Sequence, residues 1–522
     1  MKIFKVPHLF LTLIVLLFFI SIAAQAQNTS KALKSQLINL RNMVNSNRCD
    51  IAVPGLFEVA YTSKGQFAAE DIYLARQWMS ICLYKMGLYQ AAAFPLIGNS
   101  YQASANVAVK SVDLLLRITD KVNDPSLLNY AVSKIDVSLK NQLSTDLVGL
   151  KLAEHAMMAG QLEEAERLYK SVLEKKKENK EALYQLGLIY LKTNKLKLAY
   201  DSFEKLSELY QKKSNLDYEK GVANLGLARS LYQAKMWQDS IDMYKSIPRN
   251  HDLYRQSLFE MAWAQFRSMK FRAAASTMES LQSQFYENVF DPESLLLRMT
   301  IQLFICQFED LENSMKIYDE NYLNTGVQLQ QWLAKKPSQK EIFSLIQDTL
   351  KKKKIFSLGY DMDLKNTIPY FILRTGLDSP LVRPHLNLLE SLKKERKLFR
   401  KSALAKNAKI SKFAERIYKS RLATVNVRLI EGFRAYLELT KTQVDQYNKQ
   451  YDFIKYEFLN SKRVNIKKLT SMSAEEKEQL NANQKRDFYW ENGYRYWPFQ
   501  GESWVDEIGN YQFVGVNRCI NE

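Results

Sequence analysis

The chain has 522 residues, 46% of them apolar, with only 17 Gly and 11 Pro. That length holds two or three domains or one long solenoid, and the scarcity of Gly and Pro argues against a sandwich of short strands. Lys and Arg outnumber Asp and Glu by 74 to 56, a formal charge of +18, which suits nucleic acid, an anionic membrane or an acidic protein partner.

The N-terminus narrows that choice. Lys2 and Lys5 precede an apolar run from Leu9 to Ala24, and Ala24-Gln25-Ala26 fits a small-x-small cleavage site. Residues 1–26 therefore read as a secretory signal peptide, with Gln27 as the mature N-terminus. The run is shorter than the roughly 20 residues that span a bilayer, and no later stretch reaches that length. The expectation is an exported, periplasmic protein, outer-membrane association being left open. Export removes nucleic acid from the partners. It leaves protein components of the envelope, with lipopolysaccharide, anionic lipid or cell wall as the anionic alternative.

Four cysteines follow, Cys49, Cys82, Cys306 and Cys519. No CxxC or zinc-like spacing is present. Cys82 and Cys306 fall in first helices of repeat-like units, where a buried free thiol is the expectation, and no bridge is assigned.

Residues 27–145 read as an N-terminal helical region with degenerate repeat-like units. Tyr73 to about Ser100 forms one, with Gly87 at its inter-helix turn, where positive φ ends a helix. Val107 to Leu139 forms another, broken at Asn123-Asp124-Pro125.

Residues 146–323 carry a clear repeat. Ala153 and Ala165, Gly187 and Ala199, Ala228 and Ser240, and Ala262 and Ala274 are each twelve residues apart, and the pairs step by 34, 41 and 34. Small residues at fixed spacing, flanked by large apolar ones, mark two antiparallel helices that cross closely. A fifth unit starts at Pro292, with Leu311 in the second small position.

These units, in particular Gly160-Gln-Leu-Glu-Glu-Ala165 and Leu183-Tyr-Gln-Leu-Gly-Leu-Ile-Tyr190 with Ala199 and Phe203, resemble tetratricopeptide (TPR) repeats. The resemblance implies an all-α chain whose TPR superhelix, an α-solenoid, lines a groove with its first helices. It places Tyr184, Leu188 and Lys192, then Arg229, Tyr232 and Gln233, then Phe259, Trp263, Phe266 and Arg267 in that groove. Aromatics interleaved with cations would suit an extended acidic peptide.

Beyond the repeats, residues 324–384 read as a helical linker region, and residues 385–470 as a long helical hairpin or coiled coil. A heptad seam runs through Phe433, Leu437, Thr440, Val444, Tyr447, Tyr451, Ile454 and Phe458. Its simplest partner is the preceding helix, folded back as a hairpin, although Glu395 interrupts the matching face there; a dimeric coiled coil is the rival. Lys393, Lys394, Arg396, Lys397, Arg400 and Lys401 make that helix strongly basic. Residues 471–522 form an aromatic-rich C-terminal segment, opened by a capping box at Ser473 and Glu476. The run Tyr496-Trp-Pro-Phe-Gln-Gly-Glu-Ser-Trp504 resembles the tail of exported TPR proteins of delta-proteobacteria, including the adventurous gliding motility type. That resemblance implies an envelope assembly as the partner.

Catalysis finds no support. His155, His251 and His385 are isolated, and Glu163-Glu164 suits the N-terminus of a repeat helix. The expectation is a non-enzymatic scaffold with no catalytic residue, no metal site and no cofactor. The alternative is a structural protein that binds an anionic envelope polymer through its basic helices.

Overall fold

The computed structural model describes residues 33–63, 65–122, 124–134, 146–211, 217–281, 291–355, 368–478, 489–491, 494–496 and 519. The signal-peptide reading of residues 1–26 and most of the C-terminal aromatics lie outside these residues. The described part is almost entirely α-helical, joined by one short antiparallel hairpin of β1 (Tyr489–Glu491) and β2 (Tyr494–Tyr496). None of its helices is long and apolar enough to cross a membrane. The chain divides into two compact units, Met1–His155 with Pro384–Arg428, and Ala156–Arg383 with Leu429–Glu522.

In the first unit, α1 (33–45) and α2 (Cys49–Phe57) precede α3 (Ala69–Lys85), α4 (Tyr89–Gln102), α5 (Ala105–Val122) and α6 (Ser126–Lys134). Two later elements join them: α20 (Arg383–Lys401) and the start of the 64-residue helix α21 (Ala408–Ser471). The start of α21 packs back on α20, with the Phe399 and Tyr418 rings 5.9 Å apart. Arg396 and Arg400 both donate to Glu415, so two cations of the basic helix are already paired.

Glu395 does not disturb this packing. It is buried and accepts the backbone N–H groups of Gln90 at 2.9 Å and Ala91 at 3.2 Å, and the Tyr418 hydroxyl at 2.9 Å. It thereby caps α4, whose own cap position is Leu88, without a side-chain bond. Arg421, also buried, donates to Gln90 Oε1 at 3.0 Å and pairs with the buried Asp124.

The second unit holds the repeat stack from Ala156 onward, where α7 (Asp146–Met158), which begins in the first unit, ends and α8 (Leu162–Lys175) follows. The pairs are then α9 (Lys180–Lys192) with α10 (Leu196–Gln211), and α11 (Asp217–Gln233) with α12 (Trp237–Lys245). They continue as α13 (Tyr254–Arg267) with α14 (Phe271–Leu281), and α15 (Pro292–Phe304) with α16 (Phe308–Tyr318). The alanines of the four small-residue pairs are fully buried. Ser240, where the pattern expects Ala, donates its hydroxyl to the carbonyl of its partner Ala228 at 2.8 Å, so its polar atom is satisfied inside the contact. Gly187 has a different neighbour from the one its spacing suggests. A Cβ there would come within 2.5 Å of the Phe203 ring.

Each turn between paired helices uses one device. Gly87, Gly160, Asn194, Lys235, Met269 and Cys306 all have φ between 55° and 76°. From Gly160 onward they step by 34, 41, 34 and 37 residues. The residue after each donates its N–H five residues back, as Lys195 does to Tyr190 at 2.8 Å and Lys270 to Gln265 at 2.9 Å, which closes the helix end in a Schellman motif.

Both thiol expectations are corrected. Cys49 and Cys82 form a disulfide, as do Cys306 and Cys519, and Cys306 sits in a turn rather than within a first helix. A pair separated by 213 residues leaves no spacing to read.

After the repeats come α17 (Thr325–Ala334), α18 (Gln339–Ile355), α19 (Tyr370–Asp378) and the later part of α21. The sequence reading gave the α21 seam to the preceding helix; the structure gives it to the last repeat and to the helices after it. Tyr451 stacks on Tyr318 with centroids 4.3 Å apart, and Phe458 meets Phe308 at 5.9 Å. Tyr436 donates its hydroxyl to the Ile372 carbonyl at 3.0 Å, against Gly376. The long helix thus covers the apolar end of the stack, which a solenoid must shield from water. The expected capping box is present, with Ser473 N–H donating to Glu476 at 2.7 Å and Glu476 N–H to Ser473 Oγ at 3.2 Å.

Candidate functional site

The first helices α9, α11 and α13 place side chains on one common face. On α13, Gln256, Glu260, Trp263 and Arg267 follow at steps of four, three and four, which is one stripe of a helix. Behind the stripe, Leu258, Met261 and Ala262 pack into the core with Leu225, Ala228 and Ile241, so the stripe stands on a fixed backing.

A cleft of about 380 Å³ opens there, lined by Leu191, Arg229, Tyr232, Gln233, Trp263 and Arg267, with Tyr244 and Glu260 below. Five residues named from the sequence, Arg229, Tyr232, Gln233, Trp263 and Arg267, come together in it. Tyr184 lies beside it, its ring 6.0 Å from Phe203. Burial raises the Tyr184 hydroxyl pKa, and the Arg229 charge partly offsets that rise. Lys192 is exposed at the end of α9, outside the lining. Phe259 faces another cleft, of about 290 Å³, with Arg255, Asp291, Tyr436 and Tyr447. Phe266 belongs to an aromatic cluster with Phe271 and Phe304 at 5.7 and 5.2 Å.

Sequence reasoning missed Glu260. It takes a bidentate pair from Arg229, at 2.8 Å from Nε and 2.6 Å from Nη2, the hydroxyl of Tyr244 at 3.0 Å and the amide of Gln256 at 2.7 Å. The pair holds the Arg229 pKa above its ordinary value, and burial followed by the Glu260 charge raises that of Tyr244. Arg229 is therefore a wall of the cleft with its charge satisfied. Arg267, which is exposed, is the cation offered to a ligand.

The arrangement contains no nucleophile–base pair. Among the described residues, no group of three or more His, Cys, Asp or Glu could hold a metal ion. What the cleft offers is apolar area from Trp263 and Tyr232, one exposed guanidinium, and hydrogen-bonding capacity at Gln233. The ring of Tyr232 is itself braced by Trp237 at 5.1 Å.

Comparison with known proteins bears on the repeats. The chain is similar in part to a tetratricopeptide repeat protein from Parabacteroides merdae, at 18% identity over 48% of this chain and 92% of that one, with a TM-score of 0.34. A Rap protein complexed with competence and sporulation factor matches at 13% identity over 77% and 99%, with a TM-score of 0.28. The TPR domain of P58(IPK) matches at 12% identity over 75% and 99%, with a TM-score of 0.19. All three superpose only loosely and bear on neither the partner nor the site of this chain. No curated protein is similar enough to count as a match. Residues 156–218, which hold the Gly187–Ala199 unit, match the family model of the tetratricopeptide repeat, and the chain accordingly carries TPR repeats.

Proposed function

We propose that this protein is a non-catalytic scaffold of the cell envelope that holds protein partners in its repeat groove, as one component of an envelope-spanning motility or transport assembly. The observation that carries the reading is the cleft between successive first helices, lined by half-buried Trp263 and exposed Arg267 on a packed backing. Aromatic and arginine side chains on a fixed surface are the usual anchors of protein contacts. Three features support the envelope. All four cysteines are paired, which suits an oxidising compartment. Residues 1–26 read as an export signal, and the C-terminal run resembles tails of exported gliding-type TPR proteins.

The test is capture from envelope fractions with the wild type and with a Trp263→Ala/Arg267→Glu variant. A discrete protein held by the wild type and lost by the variant is the expected result. One observation favours a second reading: Lys393, Lys394, Lys397 and Lys401 are exposed on α20. If protein capture disappears at modest salt while isolated lipopolysaccharide or sacculi still bind, the anionic-polymer reading replaces the scaffold.

A further inference from the structure

Trp263 separates two clefts. Beyond it lies a second one, of about 350 Å³, with Leu296 and Thr300 of α15 on one side and Lys449, Phe453 and Ile454 of α21 on the other. The long helix, which lies outside the repeats in sequence, therefore forms a wall of the groove.

Phe453 is not there for packing. The buried seam of α21 at this level is Tyr451, Ile454 and Phe458, which fill the core with Leu295, Leu296, Met299 and Tyr318. Phe453 falls beside the seam and is 64% exposed, with its ring at the edge of the cleft. An aromatic ring left in water at a cleft mouth is apolar area available to a ligand.

The charges repeat the pattern of the first cleft. Trp263 is followed four residues later by Arg267, and Phe453 is preceded four residues earlier by Lys449, so each aromatic has a cation one helical turn away. The two carboxylates of the clefts are already engaged. Glu260 is held by Arg229, and Glu293 accepts the Tyr447 hydroxyl at 3.2 Å. Among the described residues, neither Arg267 nor Lys449 forms an ion pair. Apolar area in the middle with a cation at each side is complementary to an aromatic side chain flanked by carboxylates.

We infer that the cleft between Trp263 and Phe453 is a second subsite of the groove, which seats an aromatic side chain of an acidic peptide strand whose neighbouring residues lie along the Arg267 cleft. The inference rests on the scaffold reading and adds to it the ligand class and the participation of the long helix.

The test uses the full-length chain and labelled synthetic heptapeptides, with Trp or Ala at the centre and three Asp or three Lys on either side. Binding is read by fluorescence anisotropy. The Asp-flanked Trp peptide is expected to bind about tenfold more tightly than its Ala counterpart, and more tightly than the Lys-flanked peptides. Phe453→Ala, at an exposed position, is expected to keep the helical circular dichroism signal and to erase the preference for Trp while leaving that for Asp. Arg267→Glu should weaken the preference for Asp. If Phe453→Ala retains the full preference for Trp, the second subsite is refuted while the groove reading stands. If none of the peptides binds, both fail.

Discussion

Arg229 and Glu260 meet side by side across two successive repeats, with two parallel N–H···O bonds of 2.8 and 2.6 Å. The pair is partly buried, with side-chain exposures of 35% and 17%, so it contributes about 1 kcal/mol rather than the larger value of a fully desolvated pair. Arg229→Met/Glu260→Gln, which removes both charges, should therefore lower stability by about that amount and leave binding of an acidic peptide unchanged. Glu260→Gln alone should change binding. It releases the guanidinium into the cleft and tightens acidic-peptide binding several-fold at low salt. Thermal melts and anisotropy on both variants decide it. If Arg229→Met/Glu260→Gln weakens binding as much as Arg267→Glu, Arg229 is a ligand contact and not a wall.

Phe203 is gripped by two glycines from successive repeats. A Cβ at Gly187 or at Gly226 would come within 2.5 Å of its ring, and the ring is fully buried. Gly187→Ala should cost about 1–3 kcal/mol through overpacking. Phe203→Leu costs stability alone, by leaving a cavity, yet in the Gly187→Ala background it should recover part of the loss. A double-mutant cycle by urea unfolding measures this coupling, and strict additivity would contradict the packing.

The repeat architecture was legible because close helix crossings restrict residue size, and a restriction on size repeats in the sequence as Ala153, Ala228 and Ala262 do. Three other features were not legible, for different reasons. The turn residue repeats in backbone conformation but not in type, since Asn, Lys, Met and Cys adopt at four turns what Gly adopts at two. The seam of α21 shows that one face is buried but cannot name the surface that buries it. Glu395 reads as a defect in an apolar stripe, because its backbone donors, Gln90 and Ala91, lie 305 and 304 residues earlier in the chain. In the cleft, the aromatic and basic residues were visible from the repeat pattern, whereas the acid that neutralises Arg229 and the wall supplied by Phe453 depend on tertiary contacts.

Met269 illustrates the cost of that turn. Its φ is 62° and its side chain is 69% exposed, so it is held in the left-handed region with little packing in return. L-residues there lose about 1 kcal/mol relative to glycine. Met269→Gly should raise stability by about 0.5–1 kcal/mol, seen as a higher urea midpoint with an unchanged slope. A lower midpoint would mean that the side chain contributes contacts that outweigh the backbone gain.

The Cys49–Cys82 bridge ties α2 to α3 across 33 residues. Loop-closure entropy for that length corresponds to about 3–4 kcal/mol. Cys49→Ser/Cys82→Ser should melt at a lower temperature than the wild type. Reducing agent should lower the melting temperature of the wild type more than that of this variant, in which only the Cys306–Cys519 bridge can respond. A wild type indifferent to reductant would contradict both pairings.

Glu395 gives the fold a pH dependence of definite sign. Burial raises its pKa to about 7; the N–H groups of Gln90 and Ala91 and the Tyr418 hydroxyl pull it back but do not cancel the rise. The folded chain thus binds a proton more readily than the unfolded chain, whose carboxyl titrates near its ordinary value of 4.5. Between those values the folded state holds more protons, so unfolding free energy falls as pH rises. The contribution is complete below the ordinary carboxyl range and is lost as pH passes through about 7, with an amplitude of about 3 kcal/mol. His385, in the same unit, works the other way, because burial lowers its pKa and its contribution grows with pH. Charged neighbours of the Glu395 site, Glu390 and Lys394 on α20 itself, remain in place in a single variant. Glu395→Gln, a neutral group of the same shape, isolates the effect. Urea unfolding from pH 5 to pH 8 should show the wild type losing stability relative to Glu395→Gln as pH rises. A difference between the two that stays constant over this range would mean that Glu395 remains ionised in the folded chain, held by the helix N-terminus of α4.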